Sequence, residues 1–285
     1  MNARSTDDEN QMDARLLTLD AGNGALKAAL WPEAAVAAFG AAPTASAPEP
    51  ARSLRLEWGA ADFDARLSEL LAEATCALVS NVGGPARADR LAALLAAASV
   101  RDVTAPHGLD LSACRAVHTI GADRLWAARG AFERTGSPCL VVDAGTAVTV
   151  DAVVVASGPR SGVAAFAGGA IALGPDLAAR ALGAGGAGLF EVDVRRDPSS
   201  VPALGRESAE ALRAGVVHGV RGAVRELVEL VHTQAQLDVQ APRLVTGGAA
   251  VLLLAEPCAV GPAARHEPWL VHLGLLAAHA RAGVR

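Results

Sequence analysis

The sequence predicts an α/β protein made of two copies of one mixed-sheet unit. Three observations carry that prediction. First, the tripeptide Asp20-Ala21-Gly22 recurs as Asp143-Ala144-Gly145. Each copy follows an apolar run, Leu16-Leu17-Thr18-Leu19 or Leu140-Val141-Val142, and precedes a small polar residue, Asn23 or Thr146, and a second apolar run. Twice, then, the pattern reads as strand, tight turn, strand. Second, strand and helix signals alternate in both halves, which implies helices packed on two mixed sheets. Third, 285 residues suffice for two domains of ordinary size. A lone Asp-x-Gly is a common turn. Two in the same strand context point to a duplicated domain that holds one nucleotide, because a carboxylate at a strand end can hold a cation and a glycine lets backbone N–H groups approach a phosphate.

Taken in order, Met1 to Ala14 is polar and acidic and reads as a disordered tail, unlike a secretory leader. Strands are expected over Leu16–Leu19 and Leu26–Trp31, with a third, short one over Val36–Phe39. Ala41 to Ser53 is rich in Ala, Pro, Ser and Thr and reads as a loop. Ser53–Trp58 alternates as an exposed strand. Asp62–Ala74 has a helical period with Asp62 as N-cap. Ala77–Val79 is a buried strand, Arg87–Ala98 a helix and Val100–Val103 a strand. A helix from Ala122 to Arg134 is stopped by Gly136 and Pro138, followed by strands 139–143 and 147–155. A further strand ends at Gly168-Gly169, within a glycine-rich turn, Ala167 to Gly174, that leads into helix Pro175–Leu182. Gly183 to Gly188 reads as a loop. Ser208–His232 is the longest helix, apolar at 209, 212, 216, 220, 224, 227, 228 and 231. Its Gly215, Gly219 and Gly222 predict a face packed close to another backbone, since each costs about 1 kcal/mol relative to Ala. Strand Pro242–Thr246, helix 249–255 and helix Leu270–Ala282 complete the chain.

Composition narrows the function. The chain is 52% hydrophobic, 19% charged and 3% aromatic, with no tyrosine, so its core is built from Ala, Val and Leu. A net charge of −5 without a long basic run argues against broad nucleic-acid or anionic-membrane binding. No apolar run reaches the length of a membrane span. Cys76, Cys114, Cys139 and Cys258 form no Cys-x-x-Cys pair and read as buried free thiols in a reducing compartment. Together these features predict a soluble, cytoplasmic protein. His218, His232, His266, His272 and His279 lack metal-site spacing, and neither a nucleophile elbow nor a Walker-type loop occurs.

Four further segments carry chemistry. Gly121-Ala122-Asp123-Arg124 sets an acid and a base at a helix start, where the helix favours an anion. Ala167 to Gly174 would cradle an anion. Thr246-Gly247-Gly248 ends a strand before a helix and suits a nucleotide base or ribose. Ser208-Ala209-Glu210-Ala211 enters the long helix, where Ser208 also reads as an N-cap.

The order of these segments carries more than any one of them. Asp20-Ala-Gly-Asn23, Gly-Ala-Asp-Arg, Asp143-Ala-Gly-Thr-Ala-Val-Thr149, Gly-Gly-x-Ile, Ser-x-Glu-Ala-x-x-x-Gly215, Thr-Gly-Gly and the closing Leu270 to Leu275 run in the sequence typical of type III pantothenate kinases, which the chain resembles over residues 15 to 280. The resemblance implies two actin-like (ribonuclease H-like) domains with a cleft between them: an N-terminal one over 15–118 and a C-terminal one over 119–285. It implies ATP-dependent phosphorylation of pantothenate, the first step towards coenzyme A, in a homodimer. It makes Asp123 the general base and Gly121, Ala122, Arg124 and Ser208 the pantothenate contacts. It puts Asp20, Gly22, Asn23, Lys27, Gly145, Thr146, Gly247 and Gly248 against ATP. Asp20 would face Mg²⁺, and Asp143 a monovalent cation, K⁺ or NH₄⁺. The chain departs from the family pattern at Gly24, where members carry a hydroxyl, at Leu173, at Gly186, and in lacking a substrate-contacting tyrosine. Two other readings follow from the same residues: a catalytically weakened relative acting as a regulatory accessory factor, and a kinase of another small hydroxylated acid.

Overall fold

The computed structural model describes residues 15–197 and 200–283; the tail expected over residues 1–14 lies outside them. The described chain falls into two compact units, one running to Ala105 and including the chain end from His279, the other running Pro106–Ala278.

The first unit opens with β1 (Arg15–Ala21) and β2 (Ala25–Pro32), followed by α1 (Glu33–Ala41), β3 (Arg52–Glu57), α2 (Phe63–Leu71), β4 (Cys76–Asn81), α3 (Pro85–Ala97) and β5 (Arg101–Asp102). The sheet order is β3-β2-β1-β4-β5. The first three strands pair antiparallel and the last two join in parallel. Strand alternation splits the side chains of β1 cleanly. Leu17, Leu19 and Ala21 join Phe63, Leu67 and Leu70 of α2 and Leu91 and Leu95 of α3 in one buried core. Thr18 and Asp20 belong to the opposite face, where the buried Trp31 donates from Nε1 to Thr18 Oγ1 at 2.7 Å.

The second unit repeats the plan with α4 (Ala122–Thr135), β6 (Cys139–Ala144), β7 (Ala147–Val155), β8 (Ala164–Leu173), α5 (Pro175–Ala184), α6 (Ser208–Gln234), β9 (Arg243–Thr246), α7 (Ala250–Leu254), β10 (Ala264–His266) and α8 (Leu270–Gly283). Its sheet order, β8-β7-β6-β9-β10, copies that of the first, with the same mixture of antiparallel and parallel pairs. The duplication expected from the repeated tripeptide is therefore present as an α/β fold with two five-stranded mixed sheets. Leu140, Val142 and Ala144 of β6 meet Val217, Val220 and Val224 of α6 and Leu252 and Leu253 of α7. The intervening residues, Val141 and Asp143, belong to the opposite face, which α4 covers.

Several local expectations change. Val36–Phe39 lies in helix α1, not in a strand: Pro32 precedes the helix, Glu33 opens its first turn, and the alanine-rich run favours helix while burying Phe39. Gly168 and Gly169 do not end their strand. β8 continues to Leu173, so Ala167 to Leu173 is sheet and not an anion-cradling turn. Gly183 and Ala184 belong to α5. Asp62 stands at the N-cap of α2 without a side-chain hydrogen bond. Among the four free cysteines, all expected to be buried, only Cys139 is buried.

The close helix approach also lies elsewhere. A Cβ on Gly215, Gly219 or Gly222 would meet nothing within 4 Å, so that stripe of α6 faces open space. Backbones touch at Gly130 of α4 and Gly274 of α8 instead. A Cβ on Gly130 would overlap the Leu270 carbonyl, and one on Gly274 the Trp126 carbonyl. α4 is buried on nearly every side beyond its first turn, including Arg129, Glu133 and Arg134. Arg129 pairs with Glu133 at 2.7 Å and Arg134 with Glu267 at 3.2 Å. Arg129 also donates to the His107 carbonyl at 3.4 Å, and the His107 ring meets Trp126 edge-on at 6.0 Å. Nδ1 of His107 accepts from Leu109 N at 3.0 Å.

Two expectations follow. Gly130→Ala should lose roughly 1–3 kcal/mol or more by overpacking, whereas Gly219→Ala should gain about 0.5–1 kcal/mol as a solvent-facing helix position. Urea melts of the two variants should move in opposite directions, and equal shifts would contradict the described crossing. Burial, then the nearby Arg129, hold the His107 imidazole below its ordinary value of 6.5. A depressed folded-state value means stability that is present above 6.5 and lost as pH falls towards the folded value. The melting temperature should therefore drop between pH 7 and pH 5.5, and His107→Gln should flatten that part of the profile.

Candidate active site

Each unit carries its aspartate at the same place in its sheet. Asp20 is the penultimate residue of β1, with Lys27 on β2 and Ser80 on β4 as its cross-strand neighbours. Asp143 is the penultimate residue of β6, with Thr149 on β7 and Thr246 on β9 in the matching positions. The duplication thus extends to the register, and it shows how the copies differ: a lysine and a serine flank the first carboxylate, two threonines the second.

In the first unit, Asp20 is 4% exposed. Its Oδ2 accepts from Lys27 Nζ at 3.2 Å. Its Oδ1 is buried and has no hydrogen-bond partner among the described residues. Gly22 closes the turn by donating to the Ala25 carbonyl at 3.1 Å. The Gly22 carbonyl accepts from Trp58 Nε1 at 2.9 Å and from Arg87 Nη1 at 3.1 Å. The Arg87 guanidinium lies 4.9 Å from the Trp58 ring centroid, so a cation is fixed beside the turn. Asn23 and Gly24 are exposed at its tip.

In the second unit, Gly145 donates to the Ala147 carbonyl at 3.0 Å, and Gly174 donates to the Thr146 carbonyl at 3.2 Å. Thr146 is exposed. Gly247 has φ of +91° and abuts the Asp143 carboxylate and the Ala144 carbonyl, both of which a Cβ would overlap. Ala249 N donates to that same Ala144 carbonyl at 2.9 Å. Asp143, Gly145, Thr146 and Gly247 are therefore gathered at one strand end. Gly248 adjoins them; its carbonyl accepts from Arg195 Nη1 at 2.7 Å. Arg195 also pairs with Asp176 of α5, whose hydrogen bond raises the arginine above its usual value.

The third feature is the start of α4. Gly121 is the N-cap, Ala122 follows it, and Asp123 sits in the first turn, where helix amides favour a carboxylate. Oδ1 of Asp123 accepts from the backbone N of Arg124 at 2.8 Å. The Arg124 side chain turns to the sheet. Its Nε donates to Oδ2 of Asp151 at 3.1 Å and its Nη2 donates to Oδ1. The guanidinium also lies 5.3 Å from the Phe166 ring centroid. Burial pushes the Asp151 carboxyl above the usual carboxylate range, against the pull of Arg124. Burial alone would lower Arg124, but the hydrogen bond and charge of Asp151 outweigh it and hold the guanidinium charged.

Ser208 is the exposed first residue of α6, with Glu207 and not Ser208 at the N-cap. Among the described residues no hydrogen bond joins it to Asp123 or Arg124. Asp20, Gly22, Asn23 and Lys27 belong to the first unit, and every other predicted site residue to the second. Sequence reasoning missed Asp151, Arg87 and Arg195. For Asp151 a signal existed: it is the one charge in the apolar strand 147–155, two residues from Thr149 and so on the same face. Arg87 and Arg195 had none, being arginines in polar segments. Among the described residues no three His, Cys, Asp or Glu side chains gather as a metal cluster, and no helix is long and apolar enough to cross a membrane.

Comparison with known proteins gives the family. The family model described as type III pantothenate kinase matches residues 16–230. A type III pantothenate kinase of Streptomyces griseus is 38% identical over 157 residues, 55% of this chain and 54% of the relative. That of Thermobifida fusca is 36% identical over 156 residues, 55% and 56% of the two chains. The chain thus spans about half the length of the curated relatives it matches. A crystal structure from Campylobacter jejuni, described under the Baf family of transcriptional activators, aligns with a TM-score of 0.56 at 17% identity. It covers 94% of this chain and all of its own, a likeness of fold. On the match over residues 16–230, which takes in Asp20, Asp123 and Asp143, the chain belongs to the type III pantothenate kinase family.

Proposed function

We propose that the protein transfers the γ-phosphoryl group of ATP to the primary hydroxyl of pantothenate, giving 4′-phosphopantothenate and ADP, as the first step of coenzyme A biosynthesis. The observation that carries this reading is a carboxylate, Asp123, held in the first turn of a buried helix beside a clamped arginine, in a chain of this family. In this reading Asp123 accepts the hydroxyl proton as the oxygen bonds to phosphorus and the bond to ADP breaks. Arg124 binds the pantothenate carboxylate, with Gly121, Ala122 and Ser208 as further contacts. Gly22 and Asn23 in one turn with Lys27 of β2 beside them, and Gly145, Thr146, Gly247 and Gly248 at the other, take the ATP.

The donor sets suit two cations. Asp20 offers a buried carboxylate oxygen with no hydrogen-bond partner among the described residues, as an acceptor for Mg²⁺ or its water. One carboxylate plus substrate phosphates is an ordinary Mg²⁺ arrangement. Beside Asp143 the missing Cβ of Gly247 lets that backbone come close against the carboxylate, and hard oxygen donors there fit K⁺ or NH₄⁺. When bound, such cations neutralise charge on the phosphate oxygens. We further propose a homodimer working in the cytoplasm.

Purified protein with labelled ATP, Mg²⁺ and pantothenate should yield 4′-phosphopantothenate. No product under Na⁺, K⁺ or NH₄⁺ would overturn the reading, and product from another hydroxy acid alone would replace it. Asp123→Asn should lower kcat by about a hundredfold or more with an unchanged circular dichroism spectrum. Wild type should turn over at least about tenfold faster in K⁺ than in Na⁺, and Asp143→Asn should erase that difference through lost charge stabilisation.

A further inference from the structure

We infer that Asp151 is a positioning residue that fixes Arg124 in the orientation in which it receives the substrate's carboxylate. The inference rests on the role proposed above for Arg124. A guanidinium carries five N–H donors in a rigid fork. Asp151 takes one from Nε and one from Nη2. Nη1 of Arg124 hydrogen-bonds to none of the described residues, and it is not among their fully buried polar atoms. One edge of the fork is spent on the protein, and the other keeps Nη1 available.

Three features indicate a built clamp. Asp151 is almost fully buried, its side chain 2% exposed, so its carboxylate has no solvent role. Asp151 pairs in register with Gly169 of β8, and a Cβ on Gly169 would overlap the Asp151 carboxylate and the Val150 carbonyl. A glycine is thus required for this aspartate to take its place. Phe166, on the same strand, backs the guanidinium. The clamp also fixes the arginine that adjoins the proposed base. Asp123 is oriented by the backbone N–H of Arg124, while the side chain of Arg124 is drawn to β7. A released guanidinium would be able to swing onto Asp123 and neutralise the proposed base.

The test combines kinetics with a measurement that needs no turnover. Asp151→Asn should raise KM for pantothenate about tenfold or more while KM for ATP stays within about twofold, since only one substrate meets Arg124. In an Arg124→Lys background, which cannot form the two-point clamp, Asp151→Asn should add less than about twofold. A merely structural aspartate would cost the same in both backgrounds and would not separate the two substrates; either result overturns the inference. In the wild type, the Arg124 Nε–H resonance, assigned by its loss in Arg124→Lys, should be protected from solvent exchange. Rapid exchange refutes the clamp even if Asp151→Asn fails to fold. Wild type that is protected but inactive on pantothenate refutes the proposed function and leaves the clamp standing.

Discussion

The burial of α4 is the constraint on which the second unit depends. Most helices of an α/β fold keep one face in water, but α4 is enclosed from Leu125 to Ala131 and again at Glu133 and Arg134. It reaches this position because Gly130 and Gly274 lack side chains, so α4 and α8 meet backbone to backbone. Enclosure has a cost: Arg129, Glu133 and Arg134 lose water, and a buried charge without a partner is strongly destabilising. The pairs Arg129–Glu133 and Arg134–Glu267 offset that loss. Such pairs add little net stability, yet they allow one helix geometry and few others. The consequence for chemistry lies at the other end of the helix. Asp123 and Arg124 emerge from a rod that cannot shift, which is what a proposed proton acceptor needs when small displacements cost large factors in rate.

The duplicated sheets show how one scaffold supports two unlike turns. In both, the aspartate is the penultimate residue of the central strand and has one antiparallel and one parallel neighbour. The scaffold fixes the carboxylate, and its neighbours set its character. Lys27 partly neutralises Asp20 across the hairpin. Thr149 and Thr246 stand in the matching positions beside Asp143, and its surroundings are shaped by Gly247. Nearby charges set how a carboxylate treats a cation, which is why the two copies are proposed above for different ions although their strand registers match.

Much of this was legible in the sequence, for identifiable reasons. The Asp-Ala-Gly repeat exposed the duplication because apolar runs flank both copies. Asp123 at the head of α4 followed from a helix bounded by Gly121 and Gly136. Failures occurred where small residues erase periodicity. β8 is Ala-Ala-Phe-Ala-Gly-Gly-Ala-Ile-Ala-Leu, whose second half reads as a turn because neither alternation nor bulk marks it as sheet. Val36–Phe39 read as a strand because its β-residues outvoted the helix-forming alanines around them. The glycines of α6 were given a packing role that belongs to Gly130 and Gly274; sequence marks a glycine but not what lies opposite it. Pairs distant in sequence, such as Arg124–Asp151 and Arg87–Gly22, depend on register, which local pattern does not supply.

Gly24, at the tip of the first turn, is one of the departures that the resemblance marks, and the structure bears on how much it matters. A hydroxyl at the turn tip would donate one hydrogen bond to a phosphate, an interaction of about 1.5–3 kcal/mol when the acceptor is charged. Around this turn the chain holds two cations instead. Lys27 is fixed by Asp20, and Arg87 is fixed by the Gly22 carbonyl and the Trp58 ring. A charged donor gives a stronger bond to phosphate than a neutral hydroxyl does, and fixing it beforehand removes part of the ordering cost. Arg87 owes its place to the first turn of α3, to a tryptophan after β3 and to the carbonyl at the end of the first hairpin. Three separate segments hold it there, and the charge they deliver to the turn is the kind that a missing hydroxyl leaves wanting.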